Sequence, residues 1–221
     1  GFKMDYNLIL KKVDHTVLNV DARWEDIKKA ADDAVEYNAA TICIPPSYVK
    51  KAKEYLQDRM KVCTVIGFPN GYSTTKTKAW EASDAIENGA EEIDMVINIG
   101  LLKDKRYADL KAEIATVKKA CGEKILKVIV ETSLLTEEEK IKMCHLVAEA
   151  GADYIKTSTG FSSGGATLED VKLLSKHVQD SKVKVKASGG IRDLEIAKKY
   201  IDAGASRIGA SRLITLIRDA E

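Results

Sequence analysis

Three stretches of the chain share one pattern of polar and apolar positions. Asn88-Gly89-Ala90-Glu91-Glu92-Ile93-Asp94, Ala150-Gly151-Ala152-Asp153-Tyr154-Ile155-Lys156 and Ala203-Gly204-Ala205-Ser206-Arg207-Ile208-Gly209 each run from a helical segment through a glycine into a short apolar strand. A glycine suits the left-handed position just past a helix end. Asn38-Ala39-Ala40-Thr41-Ile42-Cys43-Ile44 is a weaker fourth copy. Helix, glycine stop and strand in repetition are the mark of βα units.

Taken in order, the pattern predicts strands over Val13 to Leu18, Thr41 to Ile44, Val62 to Ile66, Ile93 to Asn98, Leu126 to Glu131, Tyr154 to Thr157, Val183 to Lys186 and Arg207 to Ala210. Several are continuous apolar runs, as in a parallel sheet covered on its outer face. Between them lie helical patterns. Asp21 is the expected cap of the helix carrying Trp24, Ile27, Ala31, Ala34 and Val35; Thr136-Glu137-Glu138-Glu139 and Thr167-Leu168-Glu169-Asp170 resemble capping boxes, and Asp193 heads a helix reaching Gly204. The expected fold is α/β, a (β/α)8 TIM barrel over residues 1–221 as a single domain, with a short helical segment before the first strand. An open doubly wound sheet is the alternative, but no G-x-G-x-x-G turn follows the first strand.

Composition changes this picture little. The chain has 221 residues, 45% hydrophobic and 31% charged, and 35 basic against 34 acidic side chains leave a formal charge of +1. Such a balance gives no global support for nucleic-acid or membrane binding. Cys43, Cys63, Cys121 and Cys144 sit in apolar segments without a C-x-x-C, so buried reduced thiols and a cytoplasmic location are expected. His15, His145 and His177 show no metal-ligand spacing, and neither a signal peptide nor a spanning apolar run is read; no metal and no cofactor are expected. Gly1-Phe2-Lys3, ahead of Met4, reads as an expression scar.

The candidate chemistry gathers at strand ends, where barrels place their sites. Asp94 and Lys156 each lie five residues after their matching glycine, a register that sets both in one inward layer. Lys186 ends the neighbouring strand, and Lys127 and Glu131 share a parity on the fifth. Two ammonium groups in a partly dry pocket disfavour double protonation, so one lysine should titrate low and act as a nucleophile toward carbonyl carbon. The plain alternative is that Lys156 and Lys186 only pair with acids such as Asp94.

Gly189-Gly190-Ile191-Arg192 and Gly209-Ala210-Ser211-Arg212, after the seventh and eighth strands, form a candidate phosphate grip, with Gly160 and Ser162-Ser163-Gly164-Gly165 nearby; singly, these glycines need only make tight turns. Asp14-His15-Thr16 lacks a serine elbow, and Asp14 is read as orienting a substrate hydroxyl or only a loop. Cys43 ends the second strand as a small buried residue near the mouth, and His145 and His177 fall in helices.

Glu92-Ile93-Asp94-Met95-Val96-Ile97-Asn98, Ile155-Lys156-Thr157-Ser158-Thr159-Gly160 and Val185-Lys186-Ala187-Ser188-Gly189-Gly190 together resemble the deoxyribose-phosphate aldolase family. Asp14-His15-Thr16, Thr64-Val65-Ile66-Gly67-Phe68-Pro69 and Arg207-Ile208-Gly209-Ala210-Ser211 extend the likeness over nearly the whole chain. The resemblance implies a metal-free class I aldolase of deoxyribose phosphate catabolism, splitting 2-deoxy-D-ribose 5-phosphate into D-glyceraldehyde 3-phosphate and acetaldehyde. Lys156 would form the Schiff base, Lys186 would tune its pKa and relay protons, Asp94 would serve the proton relay and Lys127 would support the network. Asp14, Cys43 and Thr159 would contact substrate, and Gly160, Gly189, Gly190, Arg192, Gly209 and Ser211 would hold the phosphate. Its partners would be a phosphosugar and aldehydes, without nucleic acid or membrane, in a homo-oligomer, foremost a dimer.

Three positions depart from the family. Phe161 stands where some members carry a lysine, Arg212 stands where others have a second serine, and the sequence stops at Asp219-Ala220-Glu221 where some have a tail tyrosine. These departures bear on turnover and phosphate preference rather than on the Schiff base. A phosphosugar isomerase or epimerase on the same barrel, and a phosphate-binding module without catalysis, are the competing readings.

Overall fold

The computed structural model describes residues 5–221, so the expression scar expected at Gly1-Phe2-Lys3 lies outside the described residues. Eight parallel strands, each paired with the next in chain order, close into a barrel: β1 (Val13–Thr16), β2 (Thr41–Ile44), β3 (Val62–Ile66), β4 (Glu92–Val96), β5 (Ile125–Ile129), β6 (Tyr154–Lys156), β7 (Lys184–Ser188) and β8 (Ala205–Ala210). Helix α1 (Tyr6–Leu10) precedes β1, and α2 (Trp24–Glu36), α3 (Val49–Leu56) and α4 (Thr75–Glu87) follow the first three strands in turn. Two helices, α5 (Ile99–Lys103) and α6 (Tyr107–Cys121), follow β4; α7 (Glu137–Glu149), α8 (Leu168–Val178), α9 (Leu194–Asp202) and α10 (Leu213–Ala220) complete the ring. Among the described residues no helix is long and apolar enough to cross a membrane.

Strand parity divides the interior in two. Ile42, Ile93, Met95, Leu126, Val128, Ile155, Val185 and Ala187 point outward and join Ile27, Leu110, Val147, Leu174 and Ile214 of the helices in one continuous apolar core. Each such buried aliphatic side chain contributes roughly 1.5–3 kcal/mol. The alternate positions face the barrel axis, where a small cluster of Cys43, Cys63 and Val65 stands apart from the main core. Most of the other inward side chains are ionisable. A barrel interior is usually filled by layers of branched aliphatics, so this substitution of charge for hydrocarbon needs an explanation in chemistry.

Local signals explain most boundaries. The Thr136 hydroxyl accepts the Glu139 N–H while the Glu139 carboxylate accepts the Thr136 N–H, a complete capping box. At Thr167 only the hydroxyl half forms, because the Asp170 carboxylate is drawn to Lys140 at 2.7 Å. Asp193 accepts the Ile196 N–H. The Asp21 cap is corrected: the N-cap of α2 is Arg23, two residues later, and the helix starts at Trp24. Asp26 reaches back to the Arg23 N–H at 2.9 Å, and Asp21 accepts from Asn19 instead. Four strands end earlier than expected. Val17 follows β1, Asn98 heads α5, Glu131, two residues past β5, adopts a left-handed conformation at φ 59°, and β6 stops at Lys156, one residue short of Thr157. The eighth strand ends at Ala210 as expected, so Gly209 and Ala210 belong to β8 and the loop after it begins at Ser211.

Candidate active site

Asp94 sits mid-strand in β4, in register with Lys127 of β5; Ile129 of β5 is in register with Lys156 of β6, and Lys156 with Lys186 of β7. The pairing between β7 and β8 shifts after Val185, and this irregularity sets Lys186 beside Arg207. Bulges of this kind often re-aim side chains near active sites. The result is a ladder of ions along the barrel axis. Arg207 Nη1 lies 2.8 Å from Asp14 and 2.6 Å from Glu92. Lys127 Nζ lies 2.6 Å from Glu92, 2.9 Å from Asp14 and 3.2 Å from Asp94. Lys186 Nζ bridges Asp14 at 2.6 Å and Asp94 at 2.7 Å, and Lys156 Nζ reaches the same Asp94 oxygen at 3.1 Å.

Three carboxylates thus face four cationic side chains. With every group ionised the ladder carries one excess positive charge; with Lys156 neutral it balances. Burial and the neighbouring Lys186 ammonium both hold the Lys156 amine below its ordinary pKa, against the pull of Asp94. For Lys186 burial acts in the same direction, but Asp14 and Asp94 outweigh it and keep that ammonium protonated well above the usual lysine range. Lys127 is raised in the same way, its burial outweighed by Asp14 and Asp94. Asp94 itself is held well below the carboxylate range, because Lys127, Lys186 and Lys156 overcome the cost of burying it. Exposure selects the same amine: Lys156 is 4% exposed at the end of β6, whereas Lys127 and Lys186 are at 0%.

The proposed substrate contacts are placed differently. Asp14 is fully buried, with Thr41 and Arg207 on one oxygen and Lys127 and Lys186 on the other, so both oxygens are taken up inside the barrel. Thr159 donates its hydroxyl to Glu131 at 2.7 Å and accepts the Phe161 N–H, which leaves it holding its own loop. Cys43 is buried on the barrel wall opposite Cys63, and the Cys63 thiol draws its pKa down against burial. On the rim, Gly160, Gly190, Arg192 and Ser211 are exposed and Gly189 is half-buried. Gly209 is half-buried, as Gly189 is, and lies within β8. A Cβ there would lie 3.0 Å from both Lys186 Cε and Ser188 Cβ, so its absence makes room for the Lys186 stem. The chain thus keeps Gly160, Gly189, Gly190, Arg192 and Ser211 at the mouth. Phe161 packs edge-on against Phe68 at 5.5 Å beside them.

The family model described as DeoC/LacD family aldolase matches residues 8–217. The chain belongs to the DeoC/LacD aldolase family. It is 55% identical over 213 residues to the deoxyribose-phosphate aldolase of Clostridioides difficile, covering 96% of this chain and 97% of that protein. It is 54% identical over 216 residues to the deoxyribose-phosphate aldolase of Streptococcus agalactiae, covering 98% and 96% respectively. Among solved structures, the tetrameric deoxyribose phosphate aldolase of Aeropyrum pernix superposes with a TM-score of 0.87 at 29% identity over 97% of this chain and 93% of its own.

For an aldolase of this family the ladder also addresses metal chemistry. Two buried groups, Cys43–Cys63–Asp94 and Asp14–Cys63–Glu92, have ligand-type atoms close enough for an ion. Lys127 Nζ already occupies that space, within 3.4 Å of Cys63 and in ion-pair contact with Asp14, Glu92 and Asp94. Dialysis against EDTA is therefore expected to leave turnover unchanged; a rate restored by added zinc or manganese would show that a metal competes with Lys127.

Reading the sequence alone left Glu92 and Arg207 without roles, and it gave Glu131 only a parity. The available signal was alternation: Glu92 is two residues before Asp94, and Arg207 two before Gly209, so both face inward with them. A second signal was the cost of an inward charge, which calls for a partner across the barrel.

Proposed function

We propose that this chain reversibly cleaves 2-deoxy-D-ribose 5-phosphate into D-glyceraldehyde 3-phosphate and acetaldehyde through a Schiff base on Lys156. The observation that carries the residue assignment is the ladder that balances only when Lys156 is neutral, together with the slightly greater exposure of that lysine at the end of β6. A neutral amine attacks the C1 aldehyde carbon of the open-chain sugar, and loss of water from the carbinolamine leaves an iminium. Removal of the C3 hydroxyl proton breaks the C2–C3 bond, and its electron pair flows to the iminium as an enamine. D-glyceraldehyde 3-phosphate departs, C2 takes a proton, and water releases acetaldehyde from Lys156.

Asp94 lies 3.1 Å from the reacting nitrogen and faces the positive charge as the iminium forms. Lys127, Lys186 and Lys156 hold the Asp94 carboxyl well below the usual range, so it serves the relay as an ionised acceptor that orients the Lys156 nitrogen and the Lys186 ammonium. Lys186 keeps Lys156 neutral and completes the relay, and Lys127 holds Asp94 in place from the other oxygen. The rim donors of Gly160, Gly189, Gly190 and Ser211, with Arg192 beside them, receive the phosphate, while Asp14, Cys43 and Thr159 shape the site without touching the sugar. A phosphosugar isomerase would need a basic carboxylate at the mouth, and Asp94, pinned by three lysines, is a poor one.

Four free, buried thiols suit a reducing compartment, and we place the reaction in the cytoplasm. Assembly into a homo-oligomer, first of all a dimer, completes the proposal. The decisive test is reduction with borohydride in the presence of acetaldehyde or the sugar phosphate. A stable adduct on the peptide carrying Lys156 is expected; an active enzyme that yields no adduct excludes the mechanism.

A further inference from the structure

Glu131 is a charged residue buried to 2% exposure, and its φ of 59° lies in the left-handed region. For a residue with a side chain this conformation is disfavoured and persists only where surrounding contacts impose it. One carboxylate oxygen accepts the Thr159 N–H at 3.1 Å, and the other accepts the Thr159 hydroxyl at 2.7 Å. The Thr159 hydroxyl in turn accepts the Phe161 N–H at 3.0 Å, so both neighbours of Gly160 are tied to one carboxylate. The Thr132 N–H, donated to Thr157 O at 2.8 Å, fixes the turn on which Glu131 stands.

The same turn braces the rest of the β6–α8 loop. Ser133 Oγ lies 3.5 Å from Ser163 Oγ, and a Cβ on Gly164 would meet Ser133 Cβ at 2.9 Å. That loop then leans on the next one: the Ala166 N–H donates to Ser188 O and Gly189 O, and a Cβ on Gly165 would meet Gly189 O at 2.3 Å. Below them Thr157 and Ser188 exchange hydrogen bonds, with the Thr157 hydroxyl donating to Ser188 O and accepting the Ser188 N–H. Three loops therefore stand in series, and Glu131 is the first support.

We propose that Glu131 is a positioning residue for phosphate recognition: through Thr159 it sets the direction of the backbone donors at Gly160 and, through Gly165, of those at Gly189 and Gly190. Glu131 touches neither Lys156 nor the ladder, so it governs where the phosphate sits and not the amine chemistry. The proposal rests on the phosphate rim assigned above, and its test separates the two.

The test compares Glu131→Gln, Glu131→Gly and Thr159→Val with the unaltered enzyme on two sugars, 2-deoxyribose 5-phosphate and unphosphorylated 2-deoxyribose. Glycine relieves the left-handed strain while removing the carboxylate, so Glu131→Gly should stay folded, the relief offsetting part of the lost hydrogen bonds to Thr159. Its KM for the phosphorylated sugar should still rise about tenfold or more, the loss expected of mispositioned charged hydrogen bonds. Glu131→Gln, which keeps two oxygen-like contacts only in part, should fall between, and Thr159→Val should show a smaller rise. In both Glu131 variants, kcat/KM for 2-deoxyribose and borohydride trapping of acetaldehyde on Lys156 should stay within about twofold of the unaltered enzyme. A parallel loss on both sugars would make Glu131 a general structural support and overturn the proposal, as would an unchanged KM for the phosphorylated sugar in Glu131→Gly. Failure of acetaldehyde trapping in the unaltered enzyme would instead defeat the Schiff-base reading.

Discussion

Lys156→Ala is expected to abolish turnover, by on the order of 10⁴-fold or more, while leaving the protein folded. The loss is chemical. Without the amine there is no iminium to accept the electrons of the C2–C3 bond, and the other two lysines of the ladder are held protonated. The folding half of the prediction follows from the charge count. Lys156 is the amine whose pKa burial and Lys186 push down, so alanine leaves Asp14, Glu92 and Asp94 balanced by Lys127, Lys186 and Arg207. Lys127→Ala is the contrasting case, since it strips the central cation from three carboxylates. Breaking such a buried network costs about 3–5 kcal/mol, enough to show as a clear fall in Tm. Turnover assays and thermal unfolding of both variants check the pair. A Lys156→Ala protein with residual aldolase turnover near that of the parent would move the nucleophile elsewhere, and equal Tm losses in the two variants would refute the charge balance.

Lys186→Leu should lower turnover at neutral pH by roughly 10²-fold and move the acidic limb of the rate profile upward by about 1–2 pH units. The sign comes from two independent routes. First, the reaction uses neutral Lys156, so its rate falls as pH drops below the Lys156 pKa; removing the nearby ammonium that depresses this pKa raises it and shifts the limb to higher pH. Second, without Lys186 the three carboxylates outnumber the two remaining cations, and protonation of Lys156 restores the balance. Activity should therefore partly recover in alkaline buffer. A profile of unchanged position with a uniformly lower rate would assign Lys186 to proton transfer or structure alone.

Much of the fold was legible because its signals are local. The limits of β2 and β3 match the apolar runs residue for residue. Thr136 and Asp193 cap their helices through side chains within three residues, and the glycine stops at Gly89, Gly151 and Gly204 adopt positive φ as a helix end of this kind requires. Asp21 failed as a cap because Asp26, equally polar and two residues inside the helix start, competes for the same backbone donor at Arg23. Local rules rank such rivals poorly.

The site was legible in part. A lysine at the end of an apolar strand, repeated in register with Asp94 and flanked by Lys186, could be read from parity alone. What parity could not give was depth along the axis. Asp14 and Lys127 are 113 residues apart, and Asp14 and Arg207 are 193 apart. Whether these charges share a layer depends on the stagger of a closed sheet and on the shift between β7 and β8. For the same reason parity could not show that Asp14 lies fully buried inside the ladder, or that the missing Cβ of Gly209 makes room for the Lys186 stem.

The sequence by itself determined the eight βα units, the lysines and acids on inward positions, and the glycine-rich loops after β6 and β7, because alternation, caps and turns act over a few residues. The tertiary structure alone supplied the physical ground for proposing Lys156 as the nucleophile. Three lysines face the axis, and only barrel closure buries Lys127 and Lys186 among Asp14, Glu92 and Asp94 while leaving Lys156 with one carboxylate and slightly greater exposure. A lysine's pKa is set by the charges and the water around it, and those come from strands far apart in the chain.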